Sequence, residues 1–336
     1  MGNATILIVT SRWDTTAYAA AEILRRKGRE PVFFYPEDIP QRARIDSVFR
    51  RGAWSNRLHT EDGTIDLDAI KAVWWRKPFV ARPSEELSRV EFPYARRESE
   101  YALKGLWDLL VNDPGIYWMS DPQNIRKANN KMLQMARATT YGIRSPDTLI
   151  TNDPDDVRAF YDECSGRMVF KSMTGPFLLP GEVEVFTPET FIPGMPLVRP
   201  FTDEDMEKVD SVRQSACMFQ ELVEKQHELR VTIFEDQIFT CRIDSQLNDL
   251  TRYDWRRQDS RPQASAGELP DSVASACLSM LDEFGLRFGA FDFIVTPEGE
   301  HVFLEINPNG QWLFVQEWVP QLRLMQAFVD IMVRNS

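Results

Sequence analysis

The sequence predicts an α/β protein of more than one subdomain, and three observations carry that reading. The chain opens with an apolar run, Thr5 to Thr10 (TILIVT), then a helix-favouring stretch and a second β-rich run, which is the order of a βαβ unit with a parallel sheet. Towards the other end, two runs of β-branched and aromatic residues flank a Pro/Gly turn, the pattern of a hairpin. At 336 residues the chain exceeds one ordinary core, which gives two or three subdomains and enough material for a cleft.

The elements follow in order. Asp14-Thr15 caps a helix from Ala17 to Lys27 that stops at Gly28, and Pro31 to Tyr35 returns as a strand. The turn after the first strand, SRWDTT, has no glycines to bring backbone close to a pyrophosphate, so the dinucleotide fingerprint is absent and this layer reads as scaffold. Ala72 to Pro78 (AVWWRKP) is a strand ending in charge, Glu91 to Asn112 a long amphipathic helix, and the first domain ends near Ser120. Asn124 to Tyr141 reads as one helix with Lys131 inside it, stopped by Gly142, before a strand at Ser145 to Ile150. A helix from Asp153 to Cys164 leads to a strand at Arg167 to Met173 that carries Lys171 in apolar company. A lysine there is satisfied by a phosphate, by a glutamate, or by snorkelling to the surface. Phe177 to Phe186 reads as a hairpin over that lysine, placed to act as a lid, and Phe201 to Ser215 as an acidic-to-basic linker or helix. Met218 to Val223 is an apolar strand whose edge can offer backbone groups to a base. Glu228 to Ile233 and Ile238 to Asp244 form a hairpin about Glu235-Asp236-Gln237, Tyr253 to Arg257 is a polar-aromatic loop, and Leu269 to Phe284 is a helix closed by Gly285.

Composition narrows the function classes. An apolar fraction of 43% and a charged fraction of 27% are those of a globular protein, and no apolar run reaches transmembrane length. The N-terminus lacks the basic region and small-residue site of a secretory signal, and Ile6 stands where myristoylation wants Ser or Thr, so the expected location is the cytoplasm, without a membrane partner. Cys164, Cys217, Cys241 and Cys277 are scattered without a CxxC pair and read as reduced packing residues. His59, His227 and His301 offer no zinc spacing. A net charge of −12 excludes nonspecific nucleic-acid binding, which needs a basic footprint, so an anionic substrate must be met by local cations such as Arg76-Lys77 and Arg256-Arg257.

The chemistry concentrates in the last hairpin, FDFIVTPEGEHVFLEINPN. Asp292, Glu305 and Asn307 can project from two paired strands to one point, with Glu305 and Asn307 two apart and so on one face. On an ordinary hairpin such residues are simply the solvent face. Here Asp292 and Glu305 interrupt strongly apolar runs, where an unpaired buried carboxylate costs several kcal/mol. Hard oxygen ligands of this kind suit Mg²⁺, which commonly takes one or two carboxylates and nucleotide phosphates.

Read in order, Lys131, Lys171, FQELVEKQHELRVTIF, IFTCRIDSQ, YDWRR and FDFIVTPEGEHVFLEINPNGQW, preceded by ILIVTSRWD and VWWRKP, resemble the ATP-grasp superfamily over nearly the whole chain. The similarity is sharpest to the ATP-grasp ligases that modify ribosomal peptides, the microviridin or graspetide type, with YDWR and NPNGQW carrying that narrower assignment. The resemblance implies an ATP-grasp fold: an N-terminal βαβ pre-ATP-grasp domain (1–120), a central lid and leader-binding domain (121–217) and a C-terminal antiparallel-sheet domain with the metal site (218–336). It implies ATP and Mg²⁺ as cofactors, with Lys131 and Lys171 on phosphates, Glu221 and Val223 at adenine, Glu228 near the ribose or neighbouring lysines, and Asp292, Glu305 and Asn307 on the metal. The phosphate loop after Lys171 has only Gly175 and Gly181, poorer in glycine than many of its kind.

The implied activity joins Asp or Glu side chains of a precursor peptide, activated as acyl phosphates, to Thr, Ser or Lys side chains, as ω-esters or ω-amides. Arg230 and Arg256 are the candidates to steady the acyl phosphate, since a guanidinium fork matches phosphate oxygens; the plain alternative for each is an ion pair. Arg76, Leu178, Glu182, Glu184, Arg242, Asp254 and Asn309 are the candidates for peptide contact, with the leader segment docking by the Leu178 to Val185 hairpin, and the resemblance implies a homodimer. Two other readings stay open: a carboxylate–amine ligase for amino acids or a protein tail, and a nucleotide-gated peptide-binding module without turnover.

Overall fold

A computed structural model describes residues 5–173, 198–256 and 260–336. Strand β1 (Thr5–Val9), helix α1 (Thr15–Arg26) and β2 (Glu30–Phe34) form the expected βαβ unit. The Asp14 side chain accepts the N–H groups of Thr16 and Ala17 at the start of α1. A side hairpin follows, β3 (Arg44–Arg50) and β4 (Ala53–Thr60) with the short β5 (Gly63–Asp66), as a three-stranded antiparallel sheet. Then come β6 (Ile70–Trp75), α2 (Glu91–Val111) and β7 (Tyr117–Met119), and the parallel sheet has the order β2-β1-β6-β7. Alternation along β1 splits its side chains between two cores. Leu7 and Val9 pack with Leu103, Leu106, Trp107 and Leu110 of α2.

The run expected to be one helix is two. Helix α3 (Pro122–Ala128) ends at Asn129, and α4 (Lys131–Thr140) starts afresh with Asn130 as its cap, whose side chain accepts the Leu133 N–H at 3.0 Å. Asparagine offers the backbone a side-chain partner and so favours a boundary over a helix interior. Lys131 is therefore the first residue of its helix. Next, β8 (Thr148–Thr151), α5 (Pro154–Glu163), β9 (Met168–Lys171), the single-turn α6 (Asp203–Glu207) and β10 (Cys217–Glu221) make a small α/β layer. Its sheet has the order β8-β10-β9, so the run expected at a strand edge is the central strand, and only the residues after Glu221 leave the ladder. The Phe177 to Phe186 hairpin lies outside the described residues.

The largest sheet is antiparallel, β13-β12-β11-β14-β15, from β11 (His227–Phe234), β12 (Gln237–Asp244), β13 (Gln263–Ala266), β14 (Phe288–Val295) and β15 (His301–Asn307). Helix α7 (Asp271–Phe284) ends on Gly285, whose φ of 67° closes the turn. It covers the sheet face bearing Leu229, Val231, Phe291, Phe293, Phe303 and Ile306. Helices α8 (Leu313–Trp318) and α9 (Leu324–Arg334) close the chain. The buried face of α9 joins Ile6, Ile8 and Trp74 of the parallel sheet to Phe234, Phe288 and Trp312 in one core, with the Trp74 and Phe328 rings 4.3 Å apart. The first and last portions of the chain are thus packed as one body around the large sheet. Among the described residues no helix is long and apolar enough to cross a membrane.

Candidate active site

The face of the large sheet opposite α7 carries a row set by strand register. Arg230 on β11 pairs with Asp292 on β14, which pairs with Glu305 on β15, and Asn307 lies two residues on. The ladder shifts register just after Asp292, a bulge that re-aims the neighbouring side chains. The three expected metal ligands are drawn together: Asn307 Nδ2 donates to Asp292 Oδ2 at 3.0 Å and to Glu305 Oε1 at 3.1 Å. Cations neutralise the carboxylates from two sides. Arg230 Nη1 is 2.7 Å from Asp292 Oδ2, and Lys131 Nζ bonds Glu305.

Lys131 is held there by Gln134, one turn along α4. The Gln134 amide donates to Ile306 O at 2.9 Å and accepts from Ile306 N at 2.9 Å, fixing α4 to β15. Sequence reasoning did not find Gln134, because its partner lies far along the chain. Gly310 is a second unforeseen element: a Cβ there would stand 2.8 Å from Arg230 Nη2 and 2.9 Å from the Asn307 Cβ. The loop after β15 must therefore pass close to the acidic row.

The acidic row and Lys131 border a cavity of about 600 Å³ between the small layer and the large sheet; Arg230, expected to meet the acyl phosphate, lies behind Asp292 and is not among its lining residues. Lys131, Lys171, Glu221, Val223, Glu228, Asp254, Arg256, Asp292, Glu305 and Asn307 all border it. One end is polar. The other, by Val169, Leu222, Val223, Ile294 and Leu304, is apolar and lies beside the chain that leaves β10.

Electrostatics differ from group to group. Burial pushes the Glu305 carboxyl up, but Lys131 and Lys171 outweigh it and hold the pKa down at about 2. Asp292 is raised, by burial first and against the pull of Arg230. Burial lowers Lys171 to about 8, with Glu305 opposing and Lys131 reinforcing the shift. Arg256 is half-buried and stays charged, because Asp254 accepts from its Nε at 2.8 Å and its Nη2 at 2.6 Å. Trp255 between them anchors the loop, its ring 5.5 Å from that of Phe314 and 5.8 Å from that of Trp318.

Among the described residues no three His, Cys, Asp or Glu side chains form a metal cluster; the acidic row has two carboxylates and an amide. It fits a hard divalent ion on one further observation. Asp292 Oδ1 is buried without a hydrogen-bond partner, the kind of atom that a cation or a donor has to satisfy.

Other expected residues sit differently. Arg76 is not a substrate-facing cation: it is 1% exposed and outside the cavity. Its guanidinium faces Asp14 at 3.2 Å and donates to Asn309 O at 3.1 Å, to Gly310 O at 2.9 Å and to the Gln311 side chain. A buried guanidinium needs acceptors of this kind, and the 309–311 loop supplies those of its two Nη atoms, while Nε faces Asp14 without an aligned hydrogen bond. Asn309 accordingly contributes its carbonyl to Arg76 and does not border the cavity. Arg242 also lies outside, paired with Asp244 at 2.7 Å. Glu221 has its carboxylate committed to Arg144 and to the Asp147 N–H, so any adenine contact there falls to backbone. Glu228 pairs with Lys225 at 2.7 Å, a nearly buried cation that sequence reading passed over. Leu178, Glu182 and Glu184 lie outside the described residues.

Residues 5–126 match the family model of the MvdD pre-ATP grasp domain. The whole fold is similar to macrocyclase MdnC of Microcystis aeruginosa MRC, solved with precursor peptide MdnA, at 27% identity and a TM-score of 0.82 over 98% of this chain and 99% of that one. It is similar to macrocyclase MdnB of the same organism at 29% identity and 0.80, over 98% and 99%. It is also similar to a RiPP-associated ATP-grasp ligase of Chryseobacterium gregarium, solved with ADP and a leader and core peptide, at 25% identity and 0.81, over 99% and 97%. No curated protein matches in sequence. The fold and the cleft are those of an ATP-grasp ligase. Within that class the first domain matches the MvdD family model, and the whole chain is similar to the macrocyclases MdnC and MdnB.

Proposed function

We propose that this chain is an ATP-dependent peptide macrocyclase that activates Asp or Glu side chains of a ribosomally made precursor as acyl phosphates and closes rings onto Thr, Ser or Lys side chains. The observation that carries the reading is the meeting of Asp292, Glu305 and Asn307 with Lys131 and Lys171 in one cavity large enough for a nucleotide. The similar proteins solved with a precursor peptide or with ADP support it.

Asp292, Glu305 and Asn307 would hold Mg²⁺, which in such sites screens phosphate charge and draws electron density from the group being transferred. In the present rotamer Asn307 turns its amide nitrogen to both carboxylates, and rotation of the amide would offer its oxygen instead. Lys131 and Lys171 meet the polyphosphate as point charges, and the apolar end by Leu222 and Val223 takes the base. The peptide carboxylate attacks the terminal phosphorus and ADP leaves. A hydroxyl or amine of the same peptide then attacks the acyl carbon, and phosphate leaves with the proton. Arg256, fixed by Asp254, and Arg230, fixed by Asp292 and the Gln311 carbonyl, supply standing positive charge, so little reorganisation is needed as phosphoryl charge moves. An ester is the expected linkage.

Co-expression with a candidate precursor peptide, followed by mass spectrometry and mild alkaline hydrolysis, tests this. Loss of one water per ring that depends on ATP and is reversed by alkali is the expected result. A precursor of unchanged mass, with ATP consumed on a free amino acid, would replace the reading by the amino-acid ligase.

A further inference from the structure

An acidic chain that acts on acidic peptides needs free cations to gather them, and the cleft has few. Arg76 is buried and committed to the 309–311 loop, and Arg256 is bound by Asp254. Outside the cleft, a group of arginines without ion pairs lies together on the β3–β4 hairpin. From Arg44 to Arg57 there are four arginines and one aspartate, in a chain of net charge −12. Arg44, Arg50, Arg51 and Arg57 are exposed, and among the described residues none of them makes an ion pair.

The base of the hairpin is anchored, with Leu58 buried and Ile45 packed on the core beneath α2. The ladder then continues past that core through the pairs Ser47–Asn56, Val48–Ser55, Phe49–Trp54 and Arg50–Ala53. Phe49 and Trp54 stand 57% and 47% exposed on the face that carries Ile45 and Leu58 lower down, with ring centroids 5.2 Å apart. Arg44, Arg50 and Arg57 project from the opposite face, and Arg51 caps the tip. Turn chemistry does not explain Arg51. The two turn residues, Arg51 and Gly52, have φ of 54° and 81°, a geometry that favours Asn-Gly, and arginine in the left-handed region costs about 1 kcal/mol. An aromatic pair in water on one face and unpaired guanidinium groups on the other, meeting at Arg51 on the turn, make the tip a surface for a partner that wraps it, and its charge selects an acidic one.

We propose that the tip of the β3–β4 hairpin docks an acidic segment of the peptide substrate, its carboxylates on Arg50 and Arg51 and an apolar side chain on the Phe49–Trp54 shelf. This rests on the peptide-ligase reading.

The test uses the full chain and a fluorescein-labelled synthetic peptide of repeating Glu-Phe-Glu-Thr, with Gln in place of Glu as the control, followed by anisotropy at low and high salt. The Arg50→Glu/Arg51→Glu variant is expected to bind the Glu peptide at least about tenfold more weakly, and Phe49→Ser/Trp54→Ser to weaken both peptides. All four positions are exposed, so ADP affinity and melting temperature should not change. Equal affinity of wild type and the charge-reversed variant for the Glu peptide would overturn the proposal. So would a wild type that sediments as a dimer while the variant is a monomer, which makes a second copy the occupant, or tighter binding of a single-stranded RNA oligonucleotide through the same arginines. If ring closure on a candidate precursor succeeds while these tests fail, the docking surface falls and the ligase reading stands. Hairpin-dependent binding without any ATP-dependent product has the opposite meaning: the docking surface stands and the ligase reading falls.

Discussion

Asp292 and Glu305 are cross-strand neighbours with opposite tendencies: one is raised by burial, the other held at about 2 by two lysines. Protonation of the site on acidification therefore begins at Asp292. Lys171 is the group that titrates near neutrality. Its free pKa is depressed to about 8, and phosphate oxygens favour the ammonium, so the pKa in a nucleotide complex lies above the free value. Binding then takes up a proton between those two values, and affinity falls as pH rises through about 8. ADP titration calorimetry across pH 7 to 10 in two buffers of different ionisation enthalpy checks this, and Lys171→Arg should flatten the profile because arginine does not deprotonate there. Asp292→Asn is expected to cut ATP-dependent product formation by at least about a hundredfold, read by mass spectrometry, since it removes a metal oxygen and the counter-charge of Arg230 together.

At the scale of elements, α4 and the loop after β15 position the row. Gln134→Ala would strip partners from both the N–H and the carbonyl of Ile306, a loss of about 2–4 kcal/mol if each buried group costs 1–2. Thermal melting reads the stability, and the KM for ATP should rise as Lys131 loosens. Gly310→Ala should cost about 1–3 kcal/mol by overpacking against Asn307 and Arg230 and should depress activity without touching a ligand. These devices mark the limit of what the sequence makes legible. The hairpin carboxylates are readable because local alternation fixes their face, and the helix ended by Gly285 because its stop signal is local. The break at Asn129-Asn130 is written in two asparagines but is masked by helical periodicity on either side. Gln134 and the burial of Arg76 depend on partners brought from elsewhere, which periodicity does not encode.

At the scale of the molecule, Arg76 ties the end of β6 to the loop that follows the acidic row, and α9 packs the parallel sheet and the large sheet into a common core. Arg76→Ala would remove the cation that faces buried Asp14, with an expected loss of about 3–5 kcal/mol, the penalty for removing one partner of a buried pair. Tryptophan fluorescence and far-ultraviolet dichroism should follow one cooperative transition, shifted to lower denaturant in that variant; separate transitions would contradict a shared core.

The central claim is that Asp292, Glu305 and Asn307 hold one divalent ion against a polyphosphate. Calorimetry of ADP binding with and without Mg²⁺, on wild type and on Glu305→Gln, measures it most directly. Mg²⁺ is expected to tighten ADP on the wild type and to leave the variant nearly unaffected. An equal gain from Mg²⁺ in both proteins would contradict the account.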